Sequence, residues 1–304
     1  MGVRKLRALL YGWISEKYMH GCSNYNSLEV RKGCRSKSQG RAIFESNNVP
    51  YARGLVFLWP WTAGKFAKQY GYPLVIKPNV SGYSRGSYFP INSKRELYRA
   101  IFWAKAWWPT TIVEQFLKGS NYRVLTTTTG FVSVIQRYAP FVTGNGIDSI
   151  DRLIDDENRV RKEMDLHPTI YPISKSDKVH RHLRTQGLTL QSVPAEGQHV
   201  ELFHRVALAP GGVVETIDQS TIPEQNKKLF TDVVKMFGAN VLGVDVIFEK
   251  GIEIPWTEQK CILIEVNSRP YIEMHYYPRY GEKEEFSAAL AQLDSLEVPD
   301  KDIF

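Results

Sequence analysis

"CILIEVNSRPYIEMH", residues 261–275, decides how this chain is read. Cys261, Ile262, Leu263 and Ile264 are an apolar run of the kind found in a strand covered on both faces. Glu265, Asn267 and Arg269 then arrive on alternate positions. Side chains alternate faces along a strand, so a carboxylate, an amide and a guanidinium are expected to point the same way. Such a convergence of polar groups at the end of a buried strand calls for a partner.

Working back along the chain, "VLGVDVIFE" (241–249) places Asp245 inside another apolar strand, where an unpaired carboxylate is costly to bury. If the two strands are neighbours, Asp245, Glu265 and Asn267 converge. Oxygen ligands of this kind suit a divalent metal such as Mg²⁺. A buried ion pair of Asp245 with an arginine, with Asn267 capping a turn, explains the same residues equally well. Further back, Lys77 ends the strand-like "PLVIKPN" (73–79), and "VSGYSRGSYF" (80–89) follows with Gly82 and Gly86. A strand lysine before a loop with free backbone N–H groups suits nucleotide phosphates, although many plain hairpins carry two glycines. No G-K-[ST] is present, so it is not a Walker A loop.

The bulk properties narrow the class. The 304 residues, 43% hydrophobic and rich in aromatics, suffice for a large core or for two to three lobes around a cleft. No apolar run approaches the roughly 20 residues that span a bilayer, and the basic start "MGVRKLRALLYGW" lacks the cleavage pattern of a signal peptide. Three cysteines, Cys22, Cys34 and Cys261, leave one over from any pairing and form no C-x-x-C, which points to a reducing, cytoplasmic setting. The formal charge of +7 comes without a nucleic-acid-binding motif and suits anionic small molecules or a solvated surface. His180, His182 and His275 have no metal-ligand spacing, and solvated or packing roles are expected for them.

The expected elements mix strands and helices without regular βαβ alternation, an α+β pattern. Val3, Leu6, Leu10, Trp13 and Ile14 share one helical face, residues 20–36 read as a loop, and a helix is expected over 37–47. Ser93 is placed to cap a helix reaching Lys105, with Glu96 three residues on as a capping box requires. "TTIVEQFL" (110–117) reads as a strand, and "YRVLTTTTGFVSVIQRY" as a hairpin turning at Gly130. Residues 147–204 are polar and mixed, and Leu229, Val233, Met236 and Phe237 mark a helix ending near Gly238.

From residue 35 to about 282 the order of these segments resembles the ATP-grasp superfamily, in particular the ATP-grasp domains of cyanophycin synthetase and bifunctional glutathione synthetase. "SKSQGRAIFESNNVPYARG" is similar to the segment of the first nucleotide lysine, which makes that lysine Lys37. "YPLVIKPNVSGYSRGS" resembles the second-lysine strand and phosphate loop, implying Lys77, Gly82, Ser84, Gly86 and Ser87 as phosphate contacts. "TIVEQFLKGSNYRVL" resembles the hinge that holds adenine, with Glu114, Gln115 and Leu117 around the base. "LRTQGLTLQSVPAEGQHVEL", "APGGVVETID", "GVDVIF", "IEVNSRP" and "MHYYPRYGE" complete the match. By this resemblance Asp245, Glu265 and Asn267 hold Mg²⁺ against the phosphates of ATP, with two ions expected and Mn²⁺ an alternative. Arg269, Arg137 and Arg123 are the candidates for stabilising the transferring phosphoryl group. Where relatives carry an acid for the ribose, this chain has Asn121; where they read Asn-Leu-Ser-Thr-Gly-Gly, it has Ala207, Ala209 and Pro210 among "ALAPGG".

The resemblance implies an ATP-grasp fold, with nucleotide between antiparallel sheets of two lobes. Residues 1–36 would form an N-terminal helix and loop, 37–117 a smaller lobe with the phosphate loop, and 118–304 a larger lobe with the metal site. The implied activity is a free-standing carboxylate–amine ligase that makes an amide or peptide bond through an acyl phosphate, releasing ADP and phosphate. A small-molecule kinase and a non-catalytic nucleotide-binding protein are the alternatives. The expected partners are a small-molecule or peptide carboxylate and an amine or amino acid, with no nucleic acid, no membrane span and a possible homo-oligomer.

Overall fold

The computed structural model describes residues 9, 10, 13, 25–35, 37–79 and 86–298. Two short helices open it, α1 (Leu28–Arg35) and α2 (Lys37–Ser46). Helix α1 lies where the sequence reads as a loop, because eight residues interrupted by Gly33 are too few to hold a helix by themselves. Its entry is fixed from outside instead. Ser27 Oγ accepts from Val30 N, and buried Asn26 donates to Val241 O at 2.7 Å and Ser268 O at 2.8 Å. Of the proposed N-terminal helical face, Leu10 and Trp13 are described and exposed; Val3, Leu6 and Ile14 lie outside the described residues, as does Cys22.

The smaller sheet follows, built from β1 (Gly54–Phe57), β2 (Leu74–Pro78), β3 (Tyr88–Ile91) and β4 (Thr111–Gln115) in the order β1-β4-β2-β3. All three of its pairings are antiparallel. Helices α3 (Pro60–Tyr70) and α4 (Lys94–Trp107) cover it, burying Ala63, Phe66 and Ala67 from one and Leu97, Ala100, Ile101 and Ala104 from the other. Those spacings are the apolar stripes expected of helices lying on a sheet. Ser93 caps α4 as the sequence predicts, accepting from Glu96 N at 3.2 Å. The Glu96 carboxylate reaches back to Asn92 N at 2.7 Å, one residue earlier than a standard capping box.

The larger sheet has five antiparallel strands, β5 (Ser120–Thr127), β6 (Gly130–Tyr138), β9 (Val213–Thr216), β10 (Val241–Phe248) and β11 (Cys261–Asn267), in the order β11-β10-β5-β6-β9. Strands β5 (Ser120–Thr127) and β6 (Gly130–Tyr138) form the expected hairpin, turning through Thr128 and Thr129 with Thr127 opposite Gly130. Strand β7 (Phe141–Thr143) pairs with β8 (His199–Glu201), and between them lie α5 (Ile150–Glu163) and α6 (Asp177–Thr185). Their polar sequence hides a separate core of Val142, Ile150, Ile154, Val179, Leu183 and Val200. That core is too sparse along the chain for periodicity to reveal. Strand β9 (Val213–Thr216), helix α7 (Glu224–Met236), β10 (Val241–Phe248), β11 (Cys261–Asn267), a one-turn helix α8 (Glu273–Tyr276) and α9 (Ser287–Asp294) complete the chain.

One face of the larger sheet is closed by α7, with Tyr122, Val124, Val134, Val244, Val246 and Leu263 packed against Leu229, Phe230, Val233 and Val234. The opposite face is where β5, β6, β10 and β11 present their polar residues. Residues 50–52 run along the edge of β11, with Leu263 N donating to Pro50 O at 3.0 Å, before the chain enters β1. Phe44 and Val49 pack in the core beneath the larger sheet, so this segment ties both sheets together. Among the described residues no helix is long and apolar enough to cross a membrane, and Cys34 and Cys261 are free thiols.

Candidate active site

Simple alternation along β11 would put Glu265 on the face of Cys261 and Leu263, which is the buried one. A β-bulge prevents this. The register with β10 passes from Val246↔Leu263 to Asp245↔Glu265, leaving Ile264 as the extra residue. Beyond the bulge Val266 takes over the core face, while Glu265 and Asn267 turn to the open face. The sequence expectation that Glu265 and Asn267 share a face therefore agrees with the structure, but the device that turns them is one that hydropathy cannot show. Arg269 lies two residues past the end of β11, half-buried.

Asp245 lies directly opposite Glu265 on one side and Arg123 of β5 on the other. It is buried and grips two arginines. Arg123 Nη2 donates to Oδ2 at 3.0 Å with Nε against Oδ1, and Arg137 Nη2 lies 3.2 Å from Oδ1. Arg137 Nε and Nη2 also donate to Asn121 Oδ1 at 2.8 and 2.6 Å. Burial pushes the Arg137 guanidinium below its ordinary range, and Asp245 opposes that shift. Gly243, opposite Asn267, lets Arg123 and Pro270 approach the strand closely: a Cβ there would stand 2.9 Å from Arg123 Nη1 and 3.1 Å from the Pro270 ring. Asn121, Arg123, Arg137, Asp245, Glu265 and Asn267 thus form one polar field across four strands. Asn267 donates Nδ2 to Gly243 O at 3.4 Å, and Glu265 has no hydrogen-bond or ion-pair partner among the described residues.

A second cluster lies on the smaller sheet. Glu114 of β4 is buried and accepts Lys77 of β2 at 2.5 Å and the Arg41 guanidinium of α2. Burial alone would raise its pKa, but Lys77 and Arg41 outweigh burial and hold the carboxyl below its usual range. Lys37, the first residue of α2, has its ammonium drawn down by burial and by Lys77, against the fields of Glu265 and Glu114. It senses both clusters, one from each sheet. Arg41 carries no sequence signal that would single it out, being one of three charged residues in a short amphipathic helix.

Beside these clusters a cavity of about 630 Å³ is lined by Gln115, Phe116 and Leu117 of the crossing segment and by Trp256, Cys261 and Ile262. Ile262 begins the open face of β11 that ends in Glu265 and Asn267. Gly86 has φ 72°, and a Cβ would meet Pro78 and Trp107 at 2.9 Å, so only glycine fits there. Ser87 is buried, with its carbonyl accepting from Arg205 Nη2 at 3.2 Å. Gly82 and Ser84 lie outside the described residues.

His275 is a polar residue whose role sequence reasoning left at packing. It is buried on α8 with Nδ1 2.7 Å from Ser133 Oγ, and that hydroxyl also meets the Glu284 carboxylate. Gln219 Nε2 donates to the other Glu284 oxygen at 2.9 Å. Burial, then the fields of Arg123 and Arg137, pull the imidazole down to about 3, so it is neutral at pH 7.

No protein-family model matches the chain. It is 30% identical over 287 residues to cyanophycin synthetase of Geminocystis herdmanii, covering 92% of this chain and 32% of that protein. A glutathione biosynthesis bifunctional protein of Streptococcus agalactiae is 28% identical over 214 residues, covering 69% of this chain and 28% of the relative. The chain therefore spans about a third of the length of these curated relatives. Among solved structures, a bifunctional glutathione synthetase from Pasteurella multocida superposes with a TM-score of 0.66 at 22% identity, over 90% of this chain and 38% of that one. D-alanine–D-alanine ligase from Bacillus anthracis gives a TM-score of 0.50 at 14% identity, over 81% of this chain and 60% of that one. Two antiparallel sheets meeting at a polar cleft, and a solved structure that superposes on them, give the conclusion: the chain has the ATP-grasp fold.

Proposed function

We propose that the chain is an ATP-dependent carboxylate–amine ligase working through an acyl phosphate. The observation that carries the proposal is the pairing of two charge fields across the cleft. Lys37, Lys77 and Arg41 crowd one side, and Arg123, Arg137, Asp245, Glu265 and Asn267 line the other. The cavity at Gln115, Leu117 and Ile262 has the place and size for the adenine end of ATP, and Asn121 for its ribose. Lys37 and Lys77, with Gly82, Ser84, Gly86 and Ser87, are assigned to the phosphates, and Glu114 holds Lys77 in position.

The metal assignment is consistent with the donor set. Two carboxylates and an amide oxygen are hard ligands that suit Mg²⁺, and the Glu265 carboxylate has no hydrogen-bond or ion-pair partner among the described residues to compete for it. Among the described residues no group of three or more His, Cys, Asp or Glu side chains makes a metal site. An ion that arrives with nucleotide takes many of its ligands from phosphate oxygens. When bound, it would offset the charge on those oxygens. Asp245, Glu265 and Asn267 would hold it.

In the proposed reaction a carboxylate oxygen attacks the γ-phosphorus and the bond to ADP breaks. An amine then attacks the acyl carbon, expels inorganic phosphate and loses a proton. Both steps bring anions together, so preorganised cations aimed at the moving phosphoryl group contribute most. Arg123, Arg137 and Arg269 are assigned that part; the first two are already fixed by Asp245 and Asn121. ADP release should be measured against panels of acids and amines. ADP release that needs both substrates and yields an amide supports the proposal. A phosphorylated product retained without an amine would make the chain a kinase instead.

A further inference from the structure

The helices covering the smaller sheet keep their largest side chains outside. Trp59, Trp61, Phe102, Trp103, Trp107 and Trp108 are 43–68% exposed, and five of the chain's seven tryptophans are in this group. Indole is a large apolar surface that folding normally removes from water. Topology gathers these rings. Strand β1 ends where β4 begins, Phe57 opposite Thr111, so the segment entering α3 and the end of α4 occupy the same edge. Trp59 and Trp61 stack with centroids 5.0 Å apart, and Phe102 meets Trp103 edge-on at 5.3 Å. The apolar needs of α4 towards the sheet are met by Leu97, Ala100, Ile101 and Ala104. Apart from Trp107, which packs on Gly86, the outer rings therefore serve nothing in the chain's own core.

Charge identifies what covers them. Residues 54–108 contain eight Lys or Arg and one acid, Glu96, a formal +7 that equals the net charge of the whole chain. Lys65, Lys68, Lys94, Arg95 and Arg99 are exposed, and on α4 Arg95 and Arg99 share the outer face with Phe102 and Trp103. A second copy docked through a two-fold axis would set these cations against their equals. Interleaved indole and cationic side chains with almost no acid match a bilayer interface, where rings sit at the headgroup level and Lys and Arg meet anionic headgroups. We propose that this face of the smaller sheet's helical layer is a peripheral docking site for an anionic lipid bilayer.

The test uses the full chain and sedimentation with vesicles of phosphatidylcholine alone or mixed with phosphatidylglycerol, at low and high salt. Two variants accompany it, the exposed-ring set W59S/W61S/F102S/W103S and the charge reversal R95E/R99E. Trp107 is left intact because it packs on Gly86. Thermal melts check that each variant is folded. Expected is binding to the anionic vesicles with a blue shift of tryptophan emission, weakened by high salt. Each variant should lose about tenfold or more in partitioning. The proposal is overturned if wild type ignores anionic vesicles, or if both folded variants bind as wild type does, which would place the contact elsewhere in the chain. It is equally overturned if this face instead binds RNA, an acidic protein or a second copy while vesicles are left alone.

Discussion

Replacing His275 by glutamine should remove a defined part of the protein's acid sensitivity. The imidazole is 1% exposed, bonded through Nδ1 to Ser133, and titrates at about 3 in the folded state. An exposed histidine titrates near 6.5. Between those values the unfolded chain binds a proton that the folded chain refuses. Stability contributed by the neutral ring is therefore complete above the unfolded value and is lost as pH falls towards the folded one. Integrating from pH 7 to pH 5 gives a loss of about 2 kcal/mol from this one group. His204 is also drawn down, to about 4, mainly by burial. It is present in both proteins and largely cancels in the comparison. Glutamine retains an N–H that can donate to Ser133 Oγ, whose own proton goes to Glu284, but it cannot titrate. Urea unfolding of wild type and H275Q at pH 7 and pH 5 measures the effect. Wild type should lose about 2 kcal/mol more than the variant over that interval. Equal losses in the two proteins would refute the placement of a neutral imidazole beside the Arg123 and Arg137 charges.

Other substitutions separate structural from catalytic roles. Asp245→Ala leaves Arg123 and Arg137 buried without their carboxylate and should cost about 3–5 kcal/mol in urea unfolding, with or without nucleotide. Glu265→Gln, at a site without an ion pair among the described residues, should change stability by no more than about 0.5 kcal/mol. It should lower turnover by roughly a hundredfold if Glu265 holds Mg²⁺. Lys77→Ala should weaken ATP binding in calorimetry and cost about 1–3 kcal/mol of stability, since Glu114 keeps only Arg41 as a direct ion-pair partner.

Much of the fold was legible because local signals were strong. The apolar runs ending in Lys77 and Asn267, the Ser93 cap and the hairpin at Gly130 each carry their own chemistry within a few residues. Asp245 could be recognised as needing a partner, but the residues left ion pair and metal equally open; the structure supplies Arg123 and Arg137 as its partners. Helix α1 and the core between β7 and β8 were not legible, because both depend on contacts from distant segments. The bulge at Ile264 left no hydropathy trace, since Ile262 and Ile264 on the open face are as apolar as Cys261 and Leu263 on the buried one. Arg41 and the Ser133–His275–Glu284 chain were hidden for a related reason: their partners lie 73, 142 and 151 residues away.

The central claim, carboxylate activation by phosphoryl transfer, is tested most directly by following oxygen. With an active acid and amine in hand, the acid's carboxylate is labelled with heavy oxygen and the released phosphate is weighed. If the carboxylate attacks the γ-phosphorus and the amine then expels phosphate from the acyl carbon, one labelled oxygen leaves on the phosphate alongside ADP and the amide. Unlabelled phosphate, or AMP with pyrophosphate, would contradict the account.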